Sequence, residues 1–208
     1  MSETSSKKRR LSFPLIVAGG VSSLVLALGM SPTFSAFTAS IQNSLNTAGT
    51  GALVMEETSG GVTCKSTEGT DGVSGNSAIC ATINKYGGTG KLLTPGGAAN
   101  TTYVVIKNSG SVAAPSFSLS PGACTQSVLG TSSGTANDLR DKLKIKITTG
   151  GTTVYDGTAT AFTAVQALAP LAAGITATFT FSVSLDSSAT NAYQGLQASQ
   201  PLTWTSGA

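Results

Sequence analysis

The chain has 208 residues, with 25 Gly, no His, only 10% charged residues and a formal net charge of +3. The absence of histidine excludes His-dependent acid–base catalysis and most zinc sites, and the low charge content excludes disorder driven by charge repulsion. Lys7, Lys8, Arg9 and Arg10 face only Glu3 within residues 1–35, and the rest of the chain balances its cations and anions, so no cationic array predicts nucleic-acid binding.

Behind that basic stretch runs an apolar segment from Leu11 to Met30, interrupted by Gly19, Gly20, Ser22 and Ser23. It reads as a secretory signal peptide, the alternative being a retained membrane anchor. Thr33-Phe34-Ser35 places small residues at the last and third-last positions of the leader, so cleavage is expected between Ser35 and Ala36. Arg9-Arg10 resembles a twin-arginine signal only weakly, because Phe13 sits one place late. About 173 residues remain, enough for one domain burying roughly 70% of its unfolded surface. The expected organisation is a leader over 1–35, a separate N-terminal segment and hinge over 36–50, and a β domain over 51–208. Membrane contact is expected only through the uncleaved leader.

In the segment after the cut, Phe37, Ala39, Ile41 and Leu45 share one side of an extended chain, interrupted by Asn43. Thr47-Ala48-Gly49-Thr50-Gly51 follows as a flexible break. A strand tethered in this way either pairs within its own sheet or completes the sheet of a neighbour.

The periodicity beyond it is that of strands. Ile175, Ala177, Phe179, Phe181, Val183 and Leu185 alternate with Thr and Ser, a period of two that puts one row in a core and the other in water. Leu143, Ile145 and Ile147 alternate with Lys142, Lys144 and Lys146, and Gly150-Gly151 predicts a hairpin turn into Thr152–Tyr155. Further strands are expected over 101–107, 52–56, 78–85, 116–120 and 202–205. Helix is confined to short turns at 136–142 and 161–168, with Asn137 and Asp138 as caps of the first. The fold class is all-β: an antiparallel, jelly-roll-like β-sandwich, with an immunoglobulin-like topology not separable on pattern alone. Trp204 alternates with Leu202 and is expected in the core, while the lysines of 142–146 form a solvated face.

Cys64, Cys80 and Cys124 would be exported into an oxidising compartment. Cys64 and Cys80 bracket a Gly/Ser/Thr-rich loop, and a bridge between them would contribute about 3 kcal/mol by loop entropy. Cys124 is then either free or a competing partner. No cofactor and no metal site are expected. Glu56, Glu57, Asp138 and Asp141 lack the partners that mark catalytic carboxylates, no His-Glu-x-x-His is present, and no glycine pair opens a phosphate loop. The chain therefore reads as a non-enzyme with no catalytic residues, and the two glutamates as solvated strand-end groups.

Phe34-Ser35-Ala36-Phe37, then Asn46-Thr47-Ala48-Gly49-Thr50-Gly51-Ala52-Leu53, and near the C-terminus Asn191-Ala192-Tyr193-Gln194-Gly195, together resemble the TasA/camelysin group of exported proteins. Lys107-Asn108-Ser109-Gly110 is similar in the middle of the chain. The resemblance implies processing by a SipW-type signal peptidase and a jelly-roll domain secreted to the cell surface or matrix. It also implies a homo-polymer in which Phe37, Ala39, Ile41 and Leu45 of one copy enter the next. The alternative is a monomeric surface or secreted binding and adhesion module, whose loops, such as 63–80, contact a glycan or another protein.

Overall fold

The computed structural model describes residues 41–42 and 45–208. The leader, the Ser35/Ala36 junction, Phe37 and Ala39 lie outside the described residues. A division between Ala48 and Gly49 separates two units. In the first, the described residues carry neither helix nor strand, and Ile41 and Leu45 are 100% and 81% exposed.

The second unit, from Gly49 on, is an antiparallel β-sandwich. Its larger layer has the order β2-β1-β3-β9-β6-β7, built from β1 (Met55–Ser59), β2 (Val62–Lys65), β3 (Asn100–Asn108), β6 (Leu143–Thr149), β7 (Thr152–Thr158) and β9 (Thr176–Leu185). Alternation decides which side faces inward. Phe179, Phe181 and Val183 of β9 lie opposite Val104, Thr102 and Asn100 of β3 and, on the other flank, Thr149, Ile147 and Ile145 of β6. Val104, Ile106, Ile145, Ile147, Phe179, Phe181 and Val183 are all essentially inaccessible to water. Each large apolar side chain placed there stabilises the fold by about 1.5–3 kcal/mol before ordering costs. The β6–β7 hairpin turns through Gly150 and Gly151 at φ of 54° and 82°, the left-handed pair that the sequence predicts.

The opposite layer is smaller. It contains β4 (Ser116–Pro121), β5 (Thr125–Val128), β8 (Gln166–Leu168), β10 (Leu196–Ser199) and β11 (Leu202–Gly207), ordered β11-β4-β8 and β10-β5. Gly122 donates its N–H to the Pro201 carbonyl at 2.8 Å, so β4–β5 and β10–β11 form one bent two-stranded ribbon. Phe117 and Leu119 of β4 close the core from this side.

Three expectations are corrected. Residues 78–85 form no strand and run as irregular chain. Residues 161–168 are not helical: β-branched Thr163 and Val165 and nearby Pro170 oppose helix, and the stretch ends in β8, paired with β4. The first strand begins at Met55 rather than Ala52, because the Ala52 and Val54 carbonyls instead accept N–H groups from Ser111, Val112 and Ser109 in a turn. The short helix near 136–142 is present as α2 (Leu139–Lys142), after α1 (Gly72–Gly75).

Among the described residues, Asn108 is the buried polar side chain, 2% exposed. Its Nδ2 donates to the Val112 and Leu171 carbonyls at 2.8 and 3.0 Å, and its Oδ1 accepts the Gly110 N–H at 3.1 Å. Its own N–H and carbonyl pair with Ile175 and Gly174. The end of β3, the turn after it and the approach to β9 are thus fixed by one side chain. Asn108→Ala would remove three hydrogen bonds, leaving the part-buried Val112 carbonyl and Gly110 N–H without this partner while the Leu171 carbonyl keeps the Ala114 N–H. It is expected to lower unfolding free energy by on the order of 3 kcal/mol, measured by urea denaturation.

Candidate assembly groove

The two layers differ in width. Six strands at ~4.8 Å spacing span about 24 Å between the outermost axes, whereas three strand positions span about 10 Å. β8 lies against β7, so the smaller layer is closed on that side. On the other side β11 lies over the middle of the larger sheet: Trp204 packs at ring-centroid distances of 4.6 Å from Phe179 and 5.7 Å from Phe117. Beyond β11 no described strand covers the inward faces of β1 and β2. The outer edges of β10 and β11 pair with no described strand.

A groove of about 1060 Å³ occupies this side. Met55 and Glu57 of β1 line it from the larger sheet, residues 194–204 form one wall, and the irregular run 76–86 with Leu93 contributes the other. Trp204 is therefore a core aromatic, as expected, with its indole edge at the groove.

The polar groups here are paired across elements. Lys85 Nζ lies 2.6 Å from Glu57 Oε1, with both side chains largely buried, and Trp204 Nε1 donates to the same oxygen at 3.1 Å. Tyr86 donates its hydroxyl to Gln200 Oε1 at 2.7 Å, while Gln200 Nε2 donates to the Gly122 and Phe162 carbonyls. Burial pushes the Tyr86 phenol well above its ordinary range, which keeps it a donor. Cys64 and Cys80 form the expected disulfide, Cα to Cα 6.0 Å, and tie this irregular chain to β2. Cys124 is free, and burial raises its thiol pKa against the opposing pull of Arg140.

The carboxylates divide in ways the sequence did not anticipate. Glu56, on the opposite face of β1, is partly covered and bridges to the more exposed Lys65 at 3.0 Å. Glu57 corrects the solvated strand-end reading: it points inward with Met55 and is held by a cation and an indole from distant parts of the chain. Asp138 stands at the helix start without capping it. Its Oδ1 accepts the Tyr193 hydroxyl at 2.8 Å, and Gln126 Oε1 takes the Leu139 N–H instead. Lys144 and Lys146 occupy the expected solvated face, beside Asp186 and Asp156.

Among the described residues no group of three His, Cys, Asp or Glu is arranged to hold a metal ion, and no helix is long and apolar enough to cross a membrane. No protein-family model and no curated protein matches the chain.

Glu57→Gln leaves Lys85 without its counter-charge in a largely buried position and is expected to destabilise the domain by about 1–3 kcal/mol, measured by urea denaturation. Because the Tyr86 pKa is raised on folding, its contribution to stability is intact below the unfolded value of 10.0 and declines as pH rises above it. Wild-type melting temperature should therefore fall between pH 9 and 11, and Tyr86→Phe should make that fall shallower.

Proposed function

We propose that this protein is an exported structural subunit that polymerises outside the cell, one copy donating residues 36–46 to the uncovered strand position of the next. The observation that carries the reading is the edge of β10–β11, which pairs with no described strand and borders a groove roofed by irregular chain. Strand addition is the interaction such a place favours, since backbone groups along the edge pair with an extended segment and alternate side chains fill the groove.

The dimensions agree. Residues 36–46 in extended form reach about 36 Å at ~3.3 Å per residue, comparable with the edge from Leu196 to Gly207. Burial of Phe37, Ile41 and Leu45 supplies a gross gain of about 5–9 kcal/mol, and Ala39 lies in the same row. Association and ordering offset part of that gain, so the net contact is moderate and depends on every apolar position in the row. Each copy carries one donor and one slot. The contact is head to tail, and an operator of that kind generates open filaments.

Cleavage between Ser35 and Ala36 by a signal peptidase of the SipW type would release the donor, because before cleavage the segment is held beside the membrane by the leader. The resemblance to the TasA/camelysin group supports the same reading from the two ends of the chain. In this reading the protein has no catalytic role.

Electron microscopy and size-exclusion chromatography of the chain beginning at Ala36 test it. Filaments are expected from the wild type, and a folded monomer from Ile41→Asp. A wild type that stays monomeric across a wide concentration range, or Ile41→Asp filaments of unchanged repeat, would overturn the reading.

A further inference from the structure

We propose that residues 81–94 form a displaceable strap that occupies the mouth of the groove in the free subunit and swings aside when a strand enters, a regulation of the same site that rests on the strand-donation reading above. Between α1 and β3 the chain has neither helix nor strand. Within it the backbone hydrogen bonds are local, Gly87 to Asn84, Lys91 to Gly88 and Gly97 to Thr94, and only Gly96 N–H reaches another element, at the Leu185 carbonyl. Its apolar anchors are few: Ile83 is buried and Tyr86 and Leu93 pack against the core, whereas Leu92 is 74% exposed and Ile79, just before the strap, 99%. A segment with few ladder bonds and few apolar anchors belongs to the low-stability end of a fold.

Asn100 Nδ2 of β3 donates to the Lys91 carbonyl at 2.6 Å and Leu93 packs on the core, while the middle of the strap is clasped by a pair of adjacent side chains. Lys85 reaches Glu57 on β1, and Tyr86 reaches Gln200 at the bend between β10 and β11. These two contacts span the space a strand added to β10–β11 would occupy. Both ends of the strap are fixed independently of them: the disulfide holds Cys80 to Cys64, and Pro95 and Gly96 pair with Leu185. The middle contains Gly87 and Gly88 at φ of 97° and 74°, next to Gly90, a composition with wide backbone freedom. The arrangement is a loop anchored at its two feet and clasped at its centre by polar contacts that an entering strand can replace.

The test is hydrogen exchange followed by mass spectrometry on the secreted chain carrying Ile41→Asp, with a synthetic peptide of residues 36–46 as probe and Tyr86→Phe added in a second sample. The expected result is exchange at least tenfold slower over 196–207, faster exchange over 81–94, and peptide association at least threefold faster in the Tyr86→Phe sample. Slower exchange at 196–207 with unchanged or slower exchange at 81–94 would make the strap a fixed wall and overturn this proposal while leaving strand donation standing. No protection of 196–207 in either sample would remove strand donation, and the strap with it.

Discussion

The organising constraint is the mismatch between a six-strand layer and a layer three strand positions wide. A sheet with one apolar face must bury that face, and three positions cannot cover six strands. On the β7 side the edges meet, and the core there is closed by Phe162 stacked on Tyr155. The shortfall therefore falls on β1 and β2. The groove, the irregular roof, the inward Glu57 and its pairing with Lys85 and Trp204 are all local responses to that one shortage.

Those responses differ in kind from the forces in the rest of the domain. Over β3, β9 and β6 the sandwich is held by interdigitated Val, Ile and Phe, and at the end of β3 by an asparagine with its hydrogen-bonding groups satisfied. These are contacts that a partner molecule has no means to replace. On the β1–β2 side Met55, Tyr86 and Leu93 pack against the core as well, and to this are added an ion pair, a phenol-to-amide hydrogen bond and a disulfide. Buried polar contacts of this sort specify a geometry more than they add net stability, because much of their strength only offsets desolvation. The domain thus has one side held chiefly by apolar packing and one side where polar pairs and a disulfide add to it.

Legibility in the sequence follows the same line. β9, β3, β6 and the β6–β7 hairpin could be read because their signal is local: alternating rows and a Gly-Gly turn. The Cys64–Cys80 bridge could be read because two cysteines frame a short polar loop. Residues 78–85 misled because Ala78, Ile79 and Ile83 carry strand-like composition, whereas the chain there runs irregularly along the groove and pairs with no strand. Glu57 misled because a lone carboxylate next to Glu56 reads as surface, and its partners Lys85 and Trp204 become visible only when distant segments meet. Asp138 has the residue type and place of a cap, but the Tyr193 hydroxyl competes for its oxygen. The groove had no sequence signature, since it is defined by how many described strands each layer holds and not by any residue.

The features on which the proposed assembly rests sit at opposite ends of the chain. The groove is edged by β10 and β11, so it is complete only when that ribbon has docked against β4 and β5. The donor proposed for it lies ahead of the first strand. In the strand-donation proposal the donor therefore exists during synthesis long before any copy has a finished acceptor, and an apolar row of Phe37, Ile41 and Leu45 would be an aggregation hazard over that interval. In that proposal, retention of the segment beside the leader until cleavage and the clasp of Lys85 and Tyr86 over the groove would address the two halves of that hazard separately. The first would restrain a donor that has no slot, and the second would shield a slot that has no donor.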